Sequence, residues 1–114
     1  MADKALFWLG SSRSDVRSFP AAARRSAGFQ LRRVQKGLEP NDWRSIPSVG
    51  PGAREIRVHT GLEHRVFYIA TFSEGIYIIH AFEKRTRKTP RHDLELARSR
   101  LRELIRIRRG KEKG

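Results

Sequence analysis

The chain has no cysteine, which excludes disulfides, thiolate metal sites and a cysteine nucleophile. Acidic residues are scarce, 12 against 25 basic ones, and no group of carboxylates suits a two-metal nuclease. The four histidines, His59, His64, His80 and His92, have no spacing that reads as a zinc site. No apolar run is long enough to cross a membrane, so no membrane partner is expected. The opening MADKALFWLG is too short in apolar residues for a signal peptide, and a cytoplasmic location is the expectation. A Gly-rich phosphate loop and a nucleophile elbow are also missing.

What is present is charge. The formal net charge of +13 over 114 residues attracts polyanions, so a nucleic-acid or ribosomal partner comes first. The length suits one domain spanning residues 1–114. Apolar residues fall in periodic blocks, which indicates a folded chain.

Ala5–Leu9 reads as a first strand closed by Gly10. Ser14 and Asp15 are placed to cap a short helix over Val16–Phe19. A longer helix runs from Pro20 to Lys36, with Ala23, Ala27, Leu31 and Val34 on one stripe and Gly37 as its stop. Residues 39–53 are rich in proline and glycine and read as a loop pinned by Trp43 and Ile46. Three strands follow: Glu55–His59 in alternation, Arg65–Phe72 and Ile76–Phe82 almost wholly apolar. Thr89 and Pro90 open a last helix carrying Leu94, Ala97, Leu101 and Leu104. Its basic tail, from about 108 to 114, is expected to fray. The order β-α-α-β-β-β-α predicts an α+β fold, an antiparallel sheet with helices packed on one face.

The polar positions of the three strands converge if the meander forms. Pairing His59 with His64 would set Arg57 level with Val66 and Tyr68; a shift of one residue sets it beside Arg65. His80 lies inside an apolar strand, where a polar residue must be hydrogen-bonded, in a core or in a site. His64 and His92 read as surface residues. Five of the eight residues from Lys84 to Arg91 are cationic. Such residues suffice to cut RNA, whose own 2′-OH attacks phosphorus. Histidine serves as acid or base, and guanidinium groups stabilise charge on the phosphate oxygens. Solvated strand and helix faces are the plainer reading of the same cations.

The stretch H-A-F-E-K-R-T-R-K-T-P (80–90), with E-I-R (55–57) and R-V-F-Y (65–68), resembles RelE/HigB-type toxins of type II toxin–antitoxin systems, in their phage-derived Gp49-like branch. The resemblance implies a RelE-like fold and a metal-independent mRNA endonuclease acting on the ribosome, with no cofactor. It implies a cognate antitoxin, a helix-turn-helix protein of the HigA kind, beside the ribosome and mRNA as partners. Arg57, Arg65, His80 and Lys84 are then the expected catalytic set. Arg85, Arg87, Lys88, Arg91 and His59 are expected to hold RNA or ribosome. This chain departs from RelE in having Glu55 where RelE has lysine and in lacking an aromatic residue after Phe82. A histidine, His80 or His59, would have to supply the proton transfer. Two rivals remain: a ParE-like gyrase inhibitor on the same fold, and a non-enzymatic basic nucleic-acid-binding module.

Overall fold

A computed structural model of the chain describes residues 3–113. Met1, Ala2 and Gly114, which the expected domain and tail include, lie outside the described residues. The elements are β1 (Leu6–Trp8), α1 (Ser12–Arg17), α2 (Ala21–Gln35), β2 (Trp43–Ser45), β3 (Ala53–His59), β4 (Glu63–Phe72), β5 (Gly75–Glu83) and α3 (Arg91–Lys113). The strands form one sheet in the order β1-β5-β4-β3-β2. The α+β class is therefore the expected one, with three differences in detail.

First, the proline- and glycine-rich connection contains a short strand, β2, which lengthens the sheet by pairing Trp43 with Ile56. Ile46 is buried as expected, and the Arg54 guanidinium lies 4.0 Å over the Trp43 ring. Second, β1 runs parallel to β5, so the sheet is mixed. The amide of Ile76 donates to the carbonyl of Ala5 at 2.9 Å. Gly75 permits this approach, since a Cβ there would come within 2.6 Å of that carbonyl and its φ is +150°.

Third, the helices do not share a face. α1 and α2 bury Val16, Phe19, Ala23, Ala27, Leu31 and Val34 against Ile56, Val58, Val66, Tyr68 and Ile78. α3 buries Ala97, Leu101 and Leu104 against Phe67, Ile69 and Ile79 on the other side. The physical reason lies in β4 and β5, which are apolar on both faces and need a cover on each. Each fully buried Leu, Val or Phe contributes on the order of 1.5–3 kcal/mol.

Helix starts and stops follow local chemistry. Pro20 sits at the N-cap of α2, and Gly37, at φ +80°, follows its end. The Asp15 amide donates to the Ser11 carbonyl at 2.9 Å, closing a first turn, and α1 begins two residues before the Ser14–Asp15 pair from which its start was expected. α3 runs to Lys113. Arg108 ties it to the β4–β5 turn: it donates to both oxygens of Glu74 at 2.8 and 2.9 Å and lies 3.8 Å over Phe72. These bonds push the Glu74 carboxyl down to about 2.

Candidate active site

The hairpin register decides which polar groups meet. His59 pairs with Glu63, so Arg57 faces Arg65 directly across β3 and β4, the second of the two registers the sequence left open. The three-residue connection Thr60–Leu62 turns on Gly61, at φ +95°. Three rows then cross the face that α3 partly covers: Glu55–Phe67–His80, Arg57–Arg65–Phe82, and His59–Glu63 with Lys84 beside them. The Lys84 amide donates to the Glu63 carbonyl at 2.7 Å.

Two arginines directly opposite on a sheet repel each other, so a counter-charge is required. Glu55 supplies it. Its side chain is only 1% exposed. Oε1 accepts from Arg44 Nε at 2.9 Å and from Arg57 Nε at 3.3 Å, and lies 3.8 Å from Arg65 Nε. The last distance is an ion pair, too long for a hydrogen bond. Glu55 Oε2 and Arg65 Nε are both buried without a hydrogen-bond partner. Arg65 is itself 8% exposed and donates through an Nη to Glu63 at 3.1 Å and to the His64 carbonyl at 3.0 Å. Arg57 and Arg44 reach further into solvent. Three guanidinium groups thus converge on one buried carboxylate, an arrangement suited to a bound anion.

His59 closes the cluster at the hairpin end. Its Nδ1 lies 2.7 Å from Glu63 and its Nε2 2.6 Å from Asp42. Only an imidazolium, protonated on both nitrogens, donates to both carboxylates. The hydrogen bond to Glu63, then that to Asp42, raises the His59 pKa above its ordinary value. Glu63 is held down in turn, chiefly by His59 and further by Arg65. Asp42 also accepts the Arg57 amide at 2.9 Å through its backbone carbonyl, which fixes the lead-in to β2.

His80 is placed differently. It is buried beneath the first turns of α3, with Nε2 2.6 Å from Asp93 and Nδ1 3.3 Å from Arg100. A ring protonated on Nε2 donates to Asp93 and accepts from Arg100, so both nitrogens are used. Its ring stacks on Phe82, with centroids 5.2 Å apart, and meets Phe67 edge-on. Phe67 and Phe82 stand between it and the arginine pair. Arg100 also donates to the Ile79 carbonyl at 3.0 Å, so this cluster ties α3 to β5.

Lys84 lies on the same side as the arginines, but its ammonium turns to the carbonyls of Thr86 and Arg87 at 2.9 and 2.6 Å, shaping the loop before α3. Arg85, Arg87, Lys88 and Arg91 stand exposed along that loop and the helix start; Arg85 pairs with Glu83, and Arg91 with Glu95 at 2.7 Å. His92 is exposed as expected. His64 is not: it is buried on the α2 side with its ring 4.3 Å from Phe19, and burial lowers its pKa. The hairpin places it on the face that α2 covers, since His59 pairs one residue earlier than His64.

The sequence reading missed Glu55, Glu63 and Asp93. A signal for Glu55 was available: E-x-R on one face of β3, opposite an arginine, requires the acid to neutralise the pair. No group of His, Cys, Asp and Glu among the described residues could hold a metal ion. No helix among them is long and apolar enough to cross a membrane. No curated protein matches the chain. Residues 14–102 match the profile of the phage-derived Gp49-like protein family (DUF891), a span that takes in α2 and all of β3, β4 and β5, and the chain belongs to that family, one of RelE-type toxins.

Proposed function

We propose that this chain is the toxin of a toxin–antitoxin pair, a single domain that works in the cytoplasm as a ribosome-dependent, metal-independent mRNA endonuclease. The observation that carries the reading is the Arg57–Arg65 pair facing each other over buried Glu55. A phosphodiester docked on these guanidiniums meets fixed positive charge where its oxygens gain negative charge during 2′-OH attack. Glu55 is a positioning residue that keeps both arginines aimed. His59, whose pKa is raised by Glu63 and Asp42, lies two residues from Arg57 on the same face; in the proposed reaction it turns one N–H from its carboxylate to protonate the leaving 5′-oxygen, while water takes up the proton of the attacking 2′-OH. His80 positions α3 through Asp93 and Arg100. Lys84 shapes the loop whose exposed Arg85, Arg87 and Lys88, with Arg91 on α3, hold the message or rRNA. The partner that silences it is a cognate antitoxin of helix-turn-helix type.

The test is induced expression followed by mapping of mRNA 5′ ends. In-frame cuts within translated codons are expected, and Arg65→Ala should remove them and the growth arrest while ribosome co-sedimentation survives. Intact mRNA with double-stranded DNA breaks would instead mark a gyrase poison. Unchanged toxicity of Arg65→Ala would overturn the catalytic assignment.

A further inference from the structure

The crest of α2, the ridge turned away from the sheet, carries Arg25, Phe29 and Arg32 at spacings of four and three, and Lys36, which caps the helix, follows four residues on. These positions form one stripe, roughly 16 Å long at 1.5 Å per residue. Phe29 is 57% exposed, the most exposed large apolar side chain among the described residues. Beside it is Gly28, in the middle of the helix, and a Cβ built there meets no atom within 4 Å. Glycine at such a place weakens a helix relative to alanine. Nothing in this chain's own packing requires it. A helix that gives up stability at an open position, beside a bare phenylalanine, is shaped for something that comes close.

We infer that the α2 crest is a docking surface for an acidic amphipathic helix of a partner protein. An apolar side chain of that helix covers Phe29, its backbone approaches over Gly28, and its carboxylates meet Arg25, Arg32 and Lys36. The four-three-four spacing is the ridge period by which helices interdigitate. The charge on the ridge selects an acidic partner, and Arg32 already binds a carboxylate there, Asp3 at 2.6 Å. RNA fits less well. The ridge is convex, and the Gly28 amide lies inside the helix, where it is bonded and unavailable to a phosphate. The surface lies across the sheet from the arginine pair, and the inference does not depend on the proposed reaction.

The probe is a fluorescent, stapled, glutamate-rich helix with one leucine stripe, titrated by anisotropy into the full chain. Wild type is expected to bind it and to ignore the same helix with lysine for glutamate. Phe29→Ala and Gly28→Gln should each weaken binding about tenfold or more, the scale of an interface hot spot. Phe29→Ala should keep the thermal unfolding of wild type, Gly28→Gln should unfold no lower than wild type, both should keep its poly-uridine affinity, and Arg65→Ala should keep peptide binding. No binding by wild type, or equal binding by the Phe29→Ala variant, overturns the inference. So does a loss of poly-uridine affinity in Phe29→Ala without loss of peptide binding, which would make the ridge a surface for RNA. A dimer in sedimentation that Phe29→Ala dissolves would assign the ridge to a second copy of the chain and overturn it as well.

Discussion

The Arg65 side chain is nearly buried, and the Glu55 carboxylate compensates its guanidinium from 3.8 Å. Breaking a buried ion pair by removing one partner costs about 3–5 kcal/mol, because the other charge stays uncompensated. Arg57 and Arg44 share the same carboxylate and would lose their orientation with it. Glu55→Ala is therefore expected to lower unfolding free energy by about 3 kcal/mol in urea melts. It should also reduce cleavage, although Glu55 itself touches no substrate in the proposed reaction. A loss well under about 1 kcal/mol would mean that water reaches Arg65 in place of the acid. At this scale the sequence was half legible. Cations stand out in composition and motif. A glutamate on an alternating strand looks like any solvated outward residue until the hairpin register brings Arg65 opposite Arg57. His80 shows the same limit: an isolated histidine in an apolar strand announces a hydrogen-bond partner, and the partners, Asp93 and Arg100, come from a helix that the pattern cannot orient.

At the scale of elements, the β3–β4 hairpin is fastened by His59 between Glu63 and Asp42. Because the folded pKa of His59 is raised, its contribution is full below the ordinary value of 6.5 and is lost as pH rises through the raised one. Glu63, lowered from 4.5, contributes above that value and fails only as pH falls through the lowered one. The fastening is therefore complete in mildly acidic solution and loosens first on the alkaline side. NMR titration of the His59 ring should report the raised midpoint, with hairpin amide exchange rising over the same range. Asp42→Asn should bring the midpoint down. At the far end of the sheet, Glu74→Gln should leave the end of α3 exchanging faster, with its core turns at Ala97 and Leu101 unaffected. Gly28→Ala should stabilise α2 by about 0.5–1 kcal/mol, since the added methyl meets open space. Element types and most boundaries followed from periodicity, proline and glycine. The side on which α3 packs did not, because strands apolar on both faces specify two covers without saying which helix takes which.

For the molecule as a whole, the net charge of +13 predicts that the RNA binding required by the proposed function will depend steeply on salt. Replacing exposed Arg87 or Lys88 by alanine should reduce the slope of log affinity against log salt by about 1 for each phosphate that the protein no longer neutralises. In-site Arg65→Ala should act mainly on the cutting step. The charge was plain in the composition. Its division was not: some cations gather around Glu55, others line the loop before α3, and others crown α2 on the opposite side.

The sheet joins the first strand to the last. Leu6 pairs with Ile76 and Trp8 with Ile78, so β1 has no neighbour until β5 exists. A polypeptide emerging from the exit tunnel accordingly carries β1 unpaired, beside a β3–β4 hairpin already able to close, until β5 has followed it out.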